Sequence, residues 1–135
     1  MVLKVFVYGT LKPGECNYRS YCQKKVIEII KAYTYGQLYH LSLGYPAMTR
    51  GNQKVQGYLL KFFDDTVLQK LDDLEDYYPL RSPQDSQYLR QNLVIYSPIG
   101  ELLGEAWGYL MTVEKIKQLG GKLITSGWWT QDKDY

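Results

Sequence analysis

The stretch that most constrains this chain is Lys4-Val5-Phe6-Val7-Tyr8-Gly9-Thr10-Leu11-Lys12-Pro13-Gly14. Lys4 to Tyr8 is an apolar, β-branched and aromatic run, which predicts a buried strand. Gly9 ends the run and Pro13-Gly14 turns the chain again. Glycine permits positive φ and the close approach of another group. A loop of this kind can point several N–H groups into one space and hold an anion or an oxyanion. A plain strand and turn fits the same residues. Gly9 and Gly14 have the spacing of a phosphate loop, but Glu15 and Cys16 stand where that motif needs Lys and Ser or Thr. A carboxylate there repels a triphosphate, so nucleotide binding is not expected.

At 135 residues the chain is long enough for one domain with a real core. A net charge of +2 is too small to indicate a nucleic-acid or membrane surface. No apolar run reaches the roughly 18 residues of a membrane span, and the N-terminus has no signal-peptide pattern. Cys16 and Cys22 are too few for a disulfide scaffold, so a reduced, cytoplasmic protein is expected. These two cysteines and the single His40 do not form a zinc spacing, so no metal is expected and His40 reads as structural. The 14 tyrosines suit half-buried strands and pocket walls, because each joins an apolar ring to a polar tip.

Along the chain, residues 17–25 suggest a short helix capped by Asn17. Residues 26–43 predict a strand, with Ile30, Ala32, Thr34, Gly36, Leu38 and His40 on one face and a bulge or close approach at Gly36. Gly44-Tyr45-Pro46-Ala47 turns the chain, and Lys54 to Phe63 is the next strand. Residues 64–75 are the clearest helix, with Asp64, Asp65 or Thr66 as cap and Thr66-x-x-Gln69 fitting a capping box. Tyr77 to Gln87 reads as a loop. Residues 88–96 and 101–111 form a hairpin across Ser97-Pro98-Ile99-Gly100. Thr112 then caps a short helix that Gly120-Gly121 ends. Strands and helices do not alternate strictly, so the class is α+β: a single domain with a mixed, strongly coiled sheet or small β-barrel and two or three short helices.

A helical wheel of residues 65–75 places Val67, Leu68, Leu71 and Leu74 on one apolar stripe. Glu75 falls about 20° from Leu68, inside that stripe, whereas Asp72, Asp73 and Asp76 fall outside it, toward water. A buried unpaired carboxylate is costly and its pKa tends to rise, which makes Glu75 a candidate general acid–base. The alternatives are that the helix ends at Leu74 and Glu75 swings to solvent, or that Glu75 pairs with Arg81 or Arg90.

Tyr8-Gly9-Thr10-Leu11 with Gly14 resembles the opening signature of the gamma-glutamylcyclotransferase-like family, including its gamma-glutamylamine cyclotransferase-like members. Leu71-Asp72-Asp73-Leu74-Glu75-Asp76-Tyr77 is similar to the segment that bears the family's catalytic glutamate. Gly36-Gln37-Leu38-Tyr39 with Tyr45-Pro46-Ala47, Tyr88-Leu89-Arg90, Tyr109 and Ser126-Gly127-Trp128-Trp129 resemble further blocks, in family order from residue 5 to residue 129. In two departures, Asp76 stands where many members have glycine and Trp128 where many have aspartate; either could alter the pocket mouth.

The resemblance implies cleavage of a gamma-glutamyl amide by attack of the substrate's own amine, releasing 5-oxoproline and a free amine or amino acid. Such chemistry rests on proximity and needs no protein nucleophile, metal or cofactor. It implies Glu75 as the catalytic acid–base. The backbone N–H groups of Tyr8, Gly9, Thr10 and Leu11 would grip the α-carboxylate or the developing oxyanion. Tyr39, Tyr88 and Tyr109 are candidates for the pocket wall or for sheet packing. The partner expected is a small gamma-glutamyl substrate, with no nucleic acid and no membrane. A non-catalytic small-ligand or partner-binding module on the same fold is the alternative. A nucleic-acid binder using tyrosines on a coiled sheet would need a basic groove.

Overall fold

The computed structural model describes residues 2–135. Six strands and three short helices follow in the order β1 (Leu3–Val7), α1 (Tyr18–Tyr21), β2 (Val26–His40), β3 (Pro46–Phe62), α2 (Leu68–Leu74), β4 (Leu89–Tyr96), β5 (Leu102–Leu110), α3 (Val113–Gln118) and β6 (Lys122–Leu123). Among the described residues no helix is long and apolar enough to cross a membrane.

The strands form one mixed sheet that closes on itself. β1 pairs antiparallel with β3, Val5 opposite Leu60, and parallel with β5, Val5 beside Trp107. β5 pairs antiparallel with β4, and β4 meets β2 at Tyr96 and Tyr33. The long β2–β3 ladder then joins the two ends. The result is a five-stranded ring, with β6 lengthening the end of β2 beside Tyr39 and His40. This is the α+β architecture expected from the sequence, and β1 is its central seam.

Two apolar clusters explain why β1 is buried along nearly its whole length. Phe6 points into the ring with Leu38, Met48, Val55, Leu59, Leu93, Ile95 and Trp129. Val5 and Val7 point outward, onto Val67 and Leu71 of the α2 segment and Ile116 of α3. Successive side chains of a strand face opposite sides, so a strand covered on both faces needs a continuous apolar run.

Several local expectations are corrected. β3 starts at Pro46, not Lys54, because residues 46–49 pair with the end of β2 before the ladder slips at Gly36/Gln37. The slip leaves Arg50, Gly51 and Asn52 as extra residues, so the irregularity foreseen at Gly36 lies mostly in the facing strand. Helix α1 is a single turn, and Asn17 does not cap it. Its amide instead donates to Thr10 Oγ1 at 3.0 Å and braces the first loop. The α2 segment is capped by Asp64, whose Oδ1 accepts from the Thr66 N–H at 3.0 Å; Thr66 itself is not the cap. Thr112 caps α3 as expected, accepting from the Lys115 N–H at 3.2 Å.

β1 and β3 approach each other tightly at Gly57. An added Cβ there would sit 2.1 Å from the Val7 carbonyl oxygen. That oxygen belongs to the β1–β3 ladder and cannot retreat without opening it. Gly57→Ala should therefore cost about 1–3 kcal/mol, as overpacking does, and lower the urea midpoint. An unchanged midpoint would show that the two strands have room to spare.

Candidate active site

Where β1 ends, the chain leaves the sheet and residues 8–11 form one wall of a cavity of about 140 Å³. Gly9 is required there by closeness, not by its backbone angle: a Cβ would lie 2.6 Å from Pro46 Cγ, and Gly9 is not among the residues with positive φ. The tight turn falls later, at Gly14, with φ 91°. The Gly9 carbonyl accepts from the Lys12 N–H at 3.0 Å and the Thr10 carbonyl from the Asn17 N–H at 2.9 Å. Among the described residues, no oxygen accepts from the N–H groups of Gly9, Thr10 or Leu11.

Lys12 anchors this loop from behind. It is wholly buried, and its ammonium contacts the Trp129 carbonyl. It also lies 3.9 Å from the centroid of the Trp128 ring and 3.7 Å from Glu15. Burial pulls its pKa down to about 8, against the opposing pull of Glu15. Glu15 Oε1 also accepts from the Gln131 N–H at 3.2 Å. Glu15, at the position where a phosphate loop has lysine, therefore ties the C-terminal segment to the first loop.

The opposite wall is the end of α2. The helix does stop at Leu74, one of the two alternatives left by the wheel, but Glu75 does not swing into solvent. Its N–H still donates to the Leu71 carbonyl at 3.0 Å, so its side chain continues the inward face and lines the same cavity as residues 8–11. Neither arginine reaches it. Arg81 pairs with Asp76 at 3.1 Å and Arg90 with Asp72 at 2.6 Å. Glu75 lines the cavity and, among the described residues, has no ionic partner. Burial accordingly pushes its pKa up to about 8.

Asp72 was expected to face water and is instead buried. Its carboxylate accepts from Arg90 at 2.6 Å and from the Tyr109 hydroxyl at 2.7 Å. The reason is geometric: Asp72 lies only about 40° beyond Leu68 on the wheel, and the β4–β5 hairpin covers that edge of the helix. Asp73 is exposed, as expected. Asp76 takes a left-handed backbone, φ 55°, a conformation in which glycine is unstrained. Neither Asp76 nor Trp128 lines the cavity.

Tyr88 and Tyr109 line the cavity, together with Tyr8, Tyr45, Asn17 and Gln87; Tyr39 does not. The Tyr39 hydroxyl instead donates to Gln37 Oε1 at 3.1 Å. Gln87 donates to the Tyr45 hydroxyl; it sits at the end of a loop that offered no sequence signal for a site. His40 accepts from the Trp129 indole N–H at 3.0 Å and so belongs to the packing of the C-terminal segment. Among the described residues, no three His, Cys, Asp or Glu side chains gather as an ion would require.

The chain can now be set beside known proteins. It is 35% identical over 85 residues to the gamma-L-glutamyl-butirosin B gamma-glutamyl cyclotransferase of Niallia circulans, a match covering 63% of this chain and 51% of that protein. The chain thus spans about half the length of that relative. It is 33% identical over 129 residues to a Vibrio cholerae protein provisionally named a gamma-glutamylcyclotransferase, covering 94% of this chain and 95% of that one. The crystal structure of an aig2-like protein from Mus musculus superposes with a TM-score of 0.67 at 20% identity, over 96% of this chain and 88% of that one, a likeness of fold. Residues 5–131 match the family model described as gamma-glutamyl cyclotransferase, AIG2-like, and the chain belongs to that family.

Proposed function

We propose that the protein cleaves a gamma-glutamyl amide by intramolecular cyclisation, releasing 5-oxoproline and the amine. The observation that carries this reading is that Glu75, without an ionic partner among the described residues, lines one cavity together with residues 8–11 of the first loop. The substrate's α-amine attacks its own side-chain carbonyl, the C–N bond to the leaving amine breaks, and one proton passes from nucleophile to leaving group. Glu75 is the group that moves it. A pKa near 8 suits both halves of that task close to neutral pH. The N–H groups of residues 8–11 hold the substrate's carboxylate or steady the oxyanion. The leaving amine is proposed as open in class, from amino acids to a larger compound such as the butirosin B in the name of the Niallia circulans relative.

The test is a panel of gamma-glutamyl amino acids, gamma-glutamyl amines and a gamma-glutamyl aminoglycoside, assayed for 5-oxoproline with mass identification of the freed amine. Glu75→Gln keeps the shape but cannot take the proton, and should lower turnover about 10²- to 10⁴-fold. Asp73→Asn, on the exposed side of the helix, should retain wild-type turnover. Near-normal turnover in Glu75→Gln would sink the shuttle, and equal losses in both variants would indicate helix damage.

The same variant has a pH signature in stability. The folded pKa of Glu75, about 8, lies above its ordinary value of 4.5. Its contribution is therefore fully present below the ordinary value and is lost as pH rises through the folded one. Lys12 acts oppositely: its folded pKa, about 8, lies below the ordinary 10.5, so its contribution grows with pH above about 8. Lys12 is common to both proteins and cancels in the difference. The thermal midpoint of Glu75→Gln minus that of wild type should be near zero in acid, climb across the interval between the two Glu75 values, and level off above it. A difference that stays flat with pH would show that the carboxyl is not desolvated.

A further inference from the structure

The outer face of the β2–β3 ladder holds a second pocket, of about 570 Å³. Successive residues of a strand alternate sides. Ala32 points into the ring, so Lys31 and Tyr33 point out. The register sets Lys31 opposite Tyr58, Tyr33 opposite Gln56 and Tyr35 opposite Lys54. The Gly127 carbonyl accepts from the Gln56 N–H at 2.8 Å, and a Cβ on Gly127 would lie 2.1 Å from the Lys54 carbonyl oxygen. The C-terminal segment is thereby pressed onto β3 and lays Trp128 beside Tyr58. Pro98 of the β4–β5 turn closes another side. The pocket shares no lining residue with the cavity of Glu75.

Its walls combine held aromatic rings with cations that lack a carboxylate. The Trp128 ring is held by the Lys12 ammonium, 3.9 Å from its centroid, and by Tyr58, whose centroid lies 6.1 Å away in an edge-on arrangement. Tyr33 stacks on Tyr96 with centroids 5.4 Å apart, and the Lys54 ammonium stands 4.8 Å from the Tyr33 centroid. Lys31 and Lys54 are exposed, and the ion pairs of the described residues use other cations. No Asp or Glu of the described residues lines the pocket. Packing alone explains why Trp128 lies on Tyr58. It does not explain an unfilled pocket that gathers two lysines and no acid.

We propose that this pocket binds a small aromatic phosphate monoester, a flat ring carrying one phosphate, as in a nucleoside 5′-monophosphate. The ring packs against Trp128 and Tyr58, whose orientations are already fixed, so little freedom is lost on binding. The phosphate carries a charge of about −1.5 to −2 at neutral pH and takes donors from Lys31 and Lys54, which matches two cations to one dianion. The volume suits a ligand of this size. A net charge of +2 fits one phosphate better than a polyanion, which needs a longer basic track. Glu15, which disfavours a phosphate at the first loop, is not among the residues that line this face. Trp128 stands where many family members have aspartate, and it gains here a role that the cavity of Glu75 does not give it.

The test follows the amide and indole N–H signals of the protein by NMR while AMP, adenosine or inorganic phosphate is added. AMP should shift the Trp128 indole signal and the amides of Lys31, Gln56 and Tyr58, with adenosine and inorganic phosphate each binding about tenfold more weakly. Lys31→Ala/Lys54→Ala, at two exposed positions, should bring AMP down about tenfold to the affinity of adenosine and leave adenosine within about twofold. Trp128→Leu should weaken both ligands, and thermal midpoints monitor folding in each variant. Equal weakening of both ligands by the double lysine substitution would mean damage to the pocket and overturn the proposal. Inorganic phosphate that binds as well as AMP would overturn it too, as would AMP shifts confined to residues 8–11 and Glu75, or no shift at millimolar AMP. A single-stranded oligoadenylate that binds far more tightly than AMP, with an affinity that falls steeply with salt, would mark a nucleic-acid surface and overturn the small-ligand assignment.

Discussion

The Asp72 carboxylate is the junction on which the site depends. It accepts from Arg90 of β4 and from the Tyr109 hydroxyl of β5. The Tyr109 carbonyl accepts the Tyr8 hydroxyl at the end of β1, and the Tyr8 oxygen takes the Met48 N–H of β3. The Met48 carbonyl in turn accepts the Met111 N–H, just past β5, at 2.9 Å. One run of hydrogen bonds thus fixes α2 against four strands of the ring. A buried carboxylate without partners would be costly; with an arginine and a phenol it is tolerated, and removing the arginine would strand a charge, whereas removing the phenol would leave one carboxylate oxygen without its donor. By holding Arg90, Asp72 also keeps that arginine from Glu75. Asp76 does the same with Arg81. The lone carboxyl in the cavity depends on both neighbouring acids having taken the available cations.

Much of this was legible in the sequence wherever one periodicity governs one contact surface. The continuous apolar run at Lys4 to Tyr8 could be read because β1 is covered on both faces. The alternation of β2 could be read in part: Ala32, Thr34 and Leu38 are buried while Lys31 and Tyr35 are exposed, but Tyr33, on the face of Lys31 and Tyr35, is buried as well. Glu75 stood out because it is a charged residue on an apolar stripe. Asp72 was misplaced because a wheel assumes a single contact face, whereas α2 meets the sheet below and the β4–β5 hairpin at its side. Lys12 gave no signal, since its burial depends on tryptophans more than a hundred residues away. Gln87 was equally invisible. A loop residue enters a site only through where the chain returns, and here the Gln87 N–H bonds the Asp76 carbonyl at 3.2 Å.

The position after Glu75 shows how a local rule can be broken. The chain must reverse immediately beyond the helix so that the Tyr88 N–H reaches the Glu75 carbonyl at 3.3 Å. Asp76 makes that reversal in a left-handed conformation. Asp is among the few residues that visit this region routinely, and its carboxylate gains an ion pair with Arg81. The departure from glycine therefore bears on the reversal behind the cavity and leaves the cavity lining unchanged.

A carboxyl that must exchange protons near neutral pH needs a surrounding that neither pairs it nor floods it with water. The ring supplies the rigid half of that surrounding, with Phe6 and Met48 packed inside and Val7 and Leu71 outside. Tyr8, Tyr88 and Tyr109 supply much of the polar half while their own protons go to Tyr109, Pro46 and Asp72. Asp72 is the one side-chain acceptor among them; replacing it with an apolar group would free the Tyr109 hydroxyl, and a hydroxyl that donated to Glu75 would favour its ionised form. The proton affinity of the carboxyl is in this sense set one bond away, by the groups that occupy the tyrosines. This also explains why the cavity can be lined with polar side chains and still desolvate the one acid within it.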